Sequence, residues 1–374
     1  MTEDFIDDFV PETDEETSAD LVHFRWKVTK NLVRRVDQYL VDRVGYLSRA
    51  GVQRVIKEGL VTANGRVVKA SYHPQNGDII QMVAPPEPVN ELVPEDIPLD
   101  ILYEDEHFLA LNKQADLIVH PARGKWTGTL VNGLVHYGIQ TGISFSSGGV
   151  REENLAPPTP GAKNAIGNWR PGILHRLDRN TTGIMLIAKS EEAHWRIARQ
   201  FENRTIQKTY MALCHGIPPT TSDVINAPIG KDKYVRERQA VRKLETGAKE
   251  ATTLFHVEQS YNPLTPEDGK PRSEIGRVIG AVSLIKLTPK TGRTHQLRVH
   301  MSHIGHPMLG DTIYGGREIH LPPPAGKDGQ GFHFSRQALH AFEITFQHPA
   351  TLKPMTLQAP LPPDFVELEA LLST

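Results

Sequence analysis

Residues 171–190 (PGILHRLDRNTTGIMLIAKS) place several charged side chains between two apolar runs. The runs are short enough to be buried strands, so both ends of the loop between them should be held by the core. This loop carries His175, Arg176, Asp178 and Arg179. Flanking positive charges favour an ionised Asp178, and the chemistry available to such a loop is that of a fixed carboxylate. An aspartate that only caps a turn, with arginines on the surface, fits the same residues equally well.

Residues 206–215 have the length of a strand, and Lys208 and Tyr210 lie on one face of it. A buried tyrosine needs a partner for its hydroxyl group. Tyr210 is therefore either a hydrogen-bonding core residue or a functional group, and the strand alone does not distinguish the two.

Residues 294–305 are predicted to form a helix, because apolar residues recur in them at helical spacing. Arg293 lies at its N-terminal end, where free backbone N–H groups favour phosphate. His295 and Arg298 are three residues apart and so share one face of this helix. The helix is the third place at which polar side chains are held by a predicted element.

Other kinds of site are poorly supported. The histidines at positions 295, 300, 303 and 306 do not place three side chains on one helical face, so no metal is expected. No glycine-rich phosphate loop follows a strand, so no cofactor is expected. No exposed serine on a tight elbow supports a Ser-His-Asp hydrolase.

Composition indicates an ordinary soluble chain. With 374 residues, 39% of them hydrophobic and 23% charged, it can form two domains with true cores. The single cysteine, Cys214, excludes an internal disulfide and a cysteine-based zinc cluster. The chain has no apolar run of membrane-spanning length, and its acidic N-terminus is unlike a signal peptide. We therefore expect a cytoplasmic protein without a membrane partner.

Charge is distributed unevenly along the chain. Residues 1–20 contain nine Asp or Glu and no Lys or Arg, and residues 1–24 are predicted to be a disordered acidic tail. Residues 25–69 contain eleven Lys or Arg against three acids. The tail could shield this basic surface or aid solubility, and we favour solubility.

Residues 25–84 are predicted to form a small α/β module. The pattern indicates one helix ending at Gly45, a second helix capped by Ser48, and a type I′ hairpin turn at Asn64-Gly65. Four basic residues of the helices lie off the apolar face, which suits contact with phosphates better than base readout; a solvated basic face is the alternative. These four are Arg35, Arg49, Arg54 and Lys57.

The proline-rich residues 85–98 are predicted to be a stiff linker to a larger domain, residues 99–374. Short strands dominate this domain, so we expect an α+β fold with a large mixed, mainly antiparallel β-sheet. Flexible insertions are predicted near residues 138–170, 262–275 and 315–332, where polar, glycine and proline residues lack periodicity.

Two parts of the sequence resemble known families. VTANGRVV at 61–68, after two helices, resembles the signature of the S4 RNA-binding domain. Several later segments resemble, in order, the motifs of the RluA family of RNA pseudouridine synthases, over roughly residues 100–350. The segments are HRLD at 175–178 with TTG at 181–183, KTYMALCHG at 208–216, TGRTHQLR at 291–298, GHP at 305–307, LGD at 309–311 and ALHA at 338–341. The turn at 112–117 (NKQADL) lacks a proline and a glycine that many relatives have.

The RluA resemblance implies that uridine in RNA is isomerised to pseudouridine without a cofactor. It assigns the carboxylate step to Asp178, pairing with that carboxylate to Arg298, and closure over the base to Tyr210. It places Arg176 in the space that the flipped base leaves. Further candidates for substrate binding are His175, Lys208 and Arg293.

The resemblance leaves the RNA open. Large-subunit ribosomal RNA is the expected substrate, because an S4 module favours structured RNA, and transfer RNA is the second candidate. The competing class is a non-catalytic RNA-binding ribosome-assembly factor that keeps the fold. A monomer is expected.

Overall fold

The computed structural model divides into two units, with the boundary between Asn90 and Glu91. Both units combine helices with β-strands, which confirms the α+β class expected from the sequence. The described residues are 21–45, 47–85, 93–120, 127–143, 145, 172–235, 237–262, 274–321 and 331–373. Within these ranges no helix has the length and apolar character needed to cross a membrane.

The first unit packs two helices on a four-stranded antiparallel sheet. Its elements are β1 (Val22–Lys27), α1 (Val36–Val44), α2 (Arg49–Lys57), β2 (Val61–Ala63), β3 (Arg66–Val67) and β4 (Ile79–Ala84). The strand order is β1-β4-β2-β3. Leu40 of α1, Val52 of α2 and Ile80 of β4 are all fully buried in the same core.

The two helices and the hairpin predicted for this unit are confirmed. Ser48 Oγ accepts a hydrogen bond from the Gly51 N–H at 3.1 Å and caps α2. The helix α1 ends just before Gly45. Asn64 and Gly65 have φ angles of 52° and 78°, the left-handed values that a type I′ turn requires.

The acidic tail predicted over residues 1–24 extends too far. Val22–Lys27 form β1, which pairs antiparallel with β4. The rings of Phe24 and Trp26 stack at 5.4 Å, because alternate residues of a strand share one face. The prediction missed this alternation; residues 1–20 lie outside the described residues.

The second unit is built on one large sheet. The strands of the unit are β5 (Ile101–Glu104), β6 (Phe108–Lys113), β7 (Gly172–Ile173), β8 (Thr182–Ala188), β9 (Gln207–His215), β10 (Ser222–Asn226), β11 (Ile229–Lys231), β12 (Gln239–Val241), β13 (Thr252–Tyr261), β14 (Val282–Pro289), β15 (Ile319–Leu321), β16 (Phe332–Phe334), β17 (Leu339–Gln347) and β18 (Pro354–Gln358). Of these, β11 pairs with β12 and β15 with β16 outside the large sheet. Its helices are α3 (Leu130–Thr141), α4 (Glu191–Glu202), α5 (Glu274–Ile279), α6 (Gln296–His303) and α7 (Pro363–Leu372).

The large sheet has the order β10-β13-β14-β9-β17-β8-β6-β5, with β18 added to β17 and β7 added to β8. Its pairs are antiparallel except β8–β17, which is parallel. The strand β17 therefore joins two halves, one containing β5, β6 and β8 and the other β9, β14, β13 and β10. This mixed, mainly antiparallel sheet confirms the prediction.

The parallel pair at the centre of the sheet depends on a glycine. Gly183 of β8 lies opposite Ala341 of β17 and has a φ of 111°. A Cβ at position 183 would overlap the Ala341 backbone, at less than 3.0 Å from its oxygen, nitrogen and carbonyl carbon. Beside it, Thr182 Oγ1 lies 2.9 Å from Nδ1 of buried His340. The two halves of the sheet can thus meet only with glycine at this position.

The linker predicted over residues 85–98 is shorter than predicted. The Asn132 side-chain amide of α3 donates to the Val93 carbonyl at 2.9 Å, and Glu95 accepts the Gly128 N–H at 3.0 Å. Residues from Val93 onward are therefore attached to the second unit through α3. Residues 86–92 lie outside the described ranges.

Two insertions predicted in this unit contain regular structure. The helix α5 begins inside the segment predicted as 262–275. The segment predicted as 315–332 contains β15, which pairs with β16. Ile319 and Phe334 of this pair are buried in a core with Phe365 of α7, which explains why the hairpin forms despite the surrounding glycines.

The helix α3 continues through Thr141, so the insertion predicted at 138–170 begins later than predicted. Gly142, in the left-handed conformation with φ 71°, ends this helix. Most of the remaining insertion, residues 146–171, lies outside the described part of the chain.

The approach of β8 to β17 gives a stability prediction. We expect Gly183→Ala to destabilise the second unit by about 3 kcal/mol or more, since both the added methyl group and the backbone conformation are unfavourable. Thermal unfolding should show a fall of about 5–10 °C in Tm. Gly292→Ala is the matched control, because a Cβ there meets no atom within 4 Å; equal Tm values for the two variants would contradict the prediction.

Candidate active site

Asp178 lies in the loop between β7 and β8, at the seam between the two halves of the sheet. The Thr181 N–H donates to the Asp178 carbonyl at 3.0 Å and closes a turn. Buried Leu177 anchors the loop next to it. The Asp178 side chain remains 22% exposed, so its carboxylate is fixed by the core but open to a cleft.

Arg298 of α6 holds the carboxylate from the other half of the sheet. Its Nη1 lies 3.0 Å from Asp178 Oδ2. Its Nε and Nη2 bind Oδ2 and Oδ1 of Asp311 at 2.7 and 2.8 Å. Burial alone would lower the pKa of Arg298, but hydrogen bonds and charges of Asp311, and then of Asp178, raise it above its ordinary value. Arg298 is thus a permanently charged bridge between two carboxylates.

Asp311 was not recognised as a site residue from the sequence. It is only 2% exposed and follows a tight turn at Gly310, whose φ is 72°. Its backbone N–H donates to the Met308 carbonyl, and its carbonyl accepts the Gly316 N–H at 2.8 Å. Asp311 belongs to the LGD segment that resembles a family motif, but nothing in the sequence around Asp311 indicates that it pairs with Arg298.

Residues next to β17 hold the loop that carries Asp178. Gln337 Nε2 donates to Thr181 Oγ1 at 3.1 Å. Arg336, which binds Asp364 with Nε and Nη2 at 2.6 and 2.8 Å, also donates to the Asn180 carbonyl at 3.4 Å. The loop after Asp178 is therefore tied to the central strand by side chains.

Lys113, at the end of β6, supports the same loop from below. Its fully buried ammonium group donates to the carbonyl oxygens of Gln114, Leu117 and Arg179 at 2.8, 2.9 and 2.8 Å. Burial lowers the pKa of Lys113 to about 7, against the opposing charge of Asp178. From the sequence, Lys113 was only part of a turn that lacks a proline and a glycine, and its contacts were not predicted.

Tyr210 projects from β9 into the cleft beside Asp178. It is 9% exposed. Burial, followed by the negative charge of Asp178, raises the pKa of Tyr210 above its ordinary value. The hydroxyl is therefore protonated at neutral pH and can donate a hydrogen bond to a group in the cleft.

Lys208 lies on the same face of β9, two residues before Tyr210. Its ammonium nitrogen is 5.6 Å from the centroid of the Phe201 ring, and burial lowers the pKa of Lys208. Lys208 thus forms part of the cleft wall, and the Phe201 ring lies next to its ammonium group.

Six of the sequence-predicted residues line this one cleft. They are Arg176, Asp178, Lys208, Tyr210, Arg293 and Arg298. Arg176 is exposed, whereas the Arg293 Nε donates to the Glu250 carbonyl at 3.0 Å. The helix α6 begins at Gln296, two residues later than predicted, because His295 has the left-handed backbone conformation, with φ 55° and ψ 20°.

His175 is not among the residues that line the cleft. Its Nε2 accepts the Leu186 N–H at 3.1 Å, and its ring packs on Phe201 with centroids 5.0 Å apart. Burial, assisted by the charge of Lys208, lowers the pKa of His175 to about 3. These contacts make His175 a neutral support for β8, in contrast to the substrate contact predicted for it.

The four basic residues predicted to bind RNA in the first unit fall into two pairs. Arg35 and Arg49 both bind the buried Asp37 carboxylate, at 3.1 and 3.2 Å. Arg54 and Lys57 of α2 are exposed. The positions of Arg35 and Arg49 follow from their contacts with Asp37, which the sequence did not predict.

The histidines near α6 have separate partners. His300 contacts Thr253 Oγ1 and the Ala227 carbonyl at 2.9 Å each, and His306 contacts the His215 carbonyl at 2.9 Å. Among the described residues, one exposed group could hold a metal ion. It consists of Glu318, His320 and His333, next to or on the β15–β16 hairpin, and these residues do not line the cleft.

Comparison with known proteins identifies related sequences over most of the chain. The family model described as RNA pseudouridylate synthase matches residues 107–303, and the S4 domain model matches residues 34–80. The chain is 36% identical over 335 residues to "Uncharacterized RNA pseudouridine synthase YlyB" of Bacillus subtilis strain 168, covering 89% of this chain and 92% of the relative.

Two further relatives have similar coverage. "Ribosomal large subunit pseudouridine synthase D" of Pseudomonas aeruginosa is 36% identical over 341 residues, covering 91% of this chain and 92% of the relative. "RNA pseudouridine synthase 2, chloroplastic" of Arabidopsis thaliana is 35% identical over 361 residues, with 90% and 80% covered.

Among solved structures, "Human RNA Pseudouridylate Synthase Domain Containing 1" aligns with a TM-score of 0.47 at 22% identity, over 75% of this chain and 96% of that one. The extent of the family model and the identity to full-length relatives confirm the resemblance found in the motifs. The chain therefore belongs to the RluA-type RNA pseudouridylate synthases and carries an S4 domain ahead of the catalytic unit.

Proposed function

We propose that this enzyme isomerises specific uridines to pseudouridine in structured RNA, with large-subunit ribosomal RNA as its substrate. The observation that carries the proposal is the state of Asp178. One oxygen of its carboxylate is held by buried Arg298 at 3.0 Å, while the side chain stays open to the cleft. A fixed carboxylate with an accessible oxygen is what the glycosidic step requires.

In this reaction the uracil base leaves C1′, turns, and rejoins the ribose through C5. Asp178 supplies a carboxylate to the sugar, either by adding to C1′ or by removing the C2′ proton. Arg298 orients the carboxylate in both cases, because it is itself fixed by Asp311. The proton lost from C5 is balanced by the one gained at N1, so the reaction needs no cofactor.

Tyr210 is proposed to close over the base and to pass on the C5 proton. Since its hydroxyl is protonated at neutral pH, it can accept that proton only while it releases its own. A role in a proton relay is therefore more consistent with the structure than a phenolate base.

Arg176 is proposed to fill the space that the target base vacates. Turning a nucleotide out of its stack costs a few kcal/mol, and a guanidinium group can stack and hydrogen-bond in its place. Its exposed side chain at the rim of the cleft supports this assignment.

Two observations support ribosomal RNA as the substrate. The S4 domain presents exposed Arg54 and Lys57 on α2, which suits contact with phosphates. A relative of nearly equal length is named as a large-subunit pseudouridine synthase.

The first test removes the charge of the proposed catalytic carboxylate. Asp178→Asn should fold, bind RNA and release no tritium from large-subunit ribosomal RNA labelled at C5 of uridine. Asp223→Asn, an exposed position on β10, is the matched control and should retain full activity. Tritium release by Asp178→Asn at the wild-type rate would refute the mechanism.

The second test removes only the hydroxyl group of Tyr210. Tyr210→Phe should bind RNA normally, while its turnover falls about 100-fold, as for loss of a proton-transferring group. Tyr261→Phe removes a buried hydroxyl that binds Glu369 at 2.7 Å, outside the cleft, and should leave turnover unchanged. An unaltered rate in Tyr210→Phe would make this tyrosine a structural residue.

The third test concerns the S4 domain. The double variant Arg54→Gln, Lys57→Gln should weaken RNA binding by about 10-fold and reduce the slope of log affinity against log salt by about 1–2. Lys353→Gln, an exposed position between β17 and β18, should leave both quantities unchanged. An unchanged salt slope in the double variant would show that these two residues do not contact phosphates.

A further inference from the structure

His295 faces the carboxylate oxygen that Arg298 leaves free. It lies directly before α6, and its Nε2 is 3.9 Å from Asp178 Oδ1, whereas Arg298 binds Oδ2. The His295 side chain is 19% exposed and lines the same cleft. The two oxygens of Asp178 are therefore flanked by different groups, a guanidinium on one side and an imidazole on the other.

Tyr314 holds the other side of the His295 ring. Its hydroxyl lies 2.8 Å from His295 Nδ1 and accepts the Gln239 N–H at 2.9 Å. The Tyr314 ring also lies under the Arg298 guanidinium, 4.9 Å from centroid to Cζ. One tyrosine, itself 2% exposed, thus supports both groups that flank Asp178.

These contacts favour one tautomer of the imidazole. Because the Gln239 N–H can only donate, the Tyr314 oxygen accepts there, and its own hydrogen is left for Nδ1 of His295. A neutral imidazole that accepts at Nδ1 carries its hydrogen on Nε2, the atom that faces Asp178.

The charge of the ring follows from its surroundings. Burial lowers the pKa of His295, against the raising effects of Asp178 and Asp311 and with the lowering effects of Arg298 and Arg176. The ring is therefore neutral at pH 7. A neutral donor beside Asp178 Oδ1 orients this oxygen without adding a second cation to the one that Arg298 supplies.

The backbone at His295 is also unusual. Its φ of 55° and ψ of 20° are left-handed values, which cost a non-glycine residue free energy and are concentrated at functional sites. The regular helix starts one residue later, at Gln296. The left-handed conformation of His295 places its side chain between Tyr314 and Asp178.

We propose that His295 is a positioning residue for Asp178. When RNA enters the cleft, the Nε2–H of His295 donates a hydrogen bond to Asp178 Oδ1, and Tyr314 fixes the tautomer that this bond requires. The inference rests on the proposed function, because it assigns a part in the same reaction. A gap of 3.9 Å is too long for a hydrogen bond. Such contacts commonly shorten when substrate binds.

Two substitutions separate the donor from the backbone. Asn tolerates the left-handed conformation, and its amide reaches only as far as Nδ1, so His295→Asn loses the donor to Asp178. The longer His295→Gln places an amide nitrogen near the position of Nε2. On a large-subunit ribosomal RNA transcript tritiated at uridine C5, we expect kcat to fall about 10- to 100-fold in His295→Asn, with KM, RNA affinity and Tm unchanged.

His295→Gln should recover most of the lost kcat. A wild-type kcat in His295→Asn, or equal losses in both variants, would overturn the proposal, since neither result requires a donor at Nε2.

The tautomer can be measured without any activity assay. Nitrogen-15 NMR of histidine-labelled protein at pH 7, assigned by difference from His295→Asn, should show Nδ1 without a proton and Nε2 with one. In Tyr314→Phe the two tautomers should mix. A proton on Nδ1, or a doubly protonated ring, in the wild type would refute the inference. Absence of tritium release by the wild-type chain would refute the proposed function instead.

Discussion

The charged chain Asp178–Arg298–Asp311 is the interaction on which the catalytic unit depends. Two carboxylates share one buried guanidinium group, so these three side chains together carry one net negative charge. Removing a partner from such a buried group leaves an uncompensated charge, which costs several kcal/mol. Asp311 is therefore as necessary to the position of Asp178 as Arg298 is, although it binds Arg298 and does not contact Asp178. It fixes the guanidinium group before any substrate arrives.

The remaining supports of the site act on the backbone of the catalytic loop. Lys113 gathers three carbonyl oxygens below it, and Arg336 and Gln337 tie it to the central strand. These contacts attach the loop to the end of β6 and to the start of β17. Asp178 can accordingly lie in a loop and still hold a defined position, which agrees with the general need for rigid support of catalytic groups.

The sequence predicted several of the elements and most of the residues that line the cleft, because both leave local signals. Helical spacing and Ser48 located α2, and strand length located β9 with Tyr210. The resemblance to the RluA motifs predicted that Arg298 pairs with Asp178. Lys113, Asp311 and Tyr314 were missed, since their importance arises from partners far along the chain, which periodicity does not reveal. His175 was assigned to the substrate for the converse reason: its motif position was visible, whereas its bond to Leu186 was not.

The position of β17 has a consequence for the order of folding. Asp178 precedes β8 in one half of the sheet, while Tyr210 and Arg298 belong to the other half, and among the described strands β17 is the one that joins the halves. Its contact with β8 links residues 158 positions apart, so closing it is entropically costly and slow. During synthesis on a ribosome the site cannot assemble until this late strand has emerged. A chain that stops before it would hold Asp178, Tyr210 and Arg298 but could not bring them together.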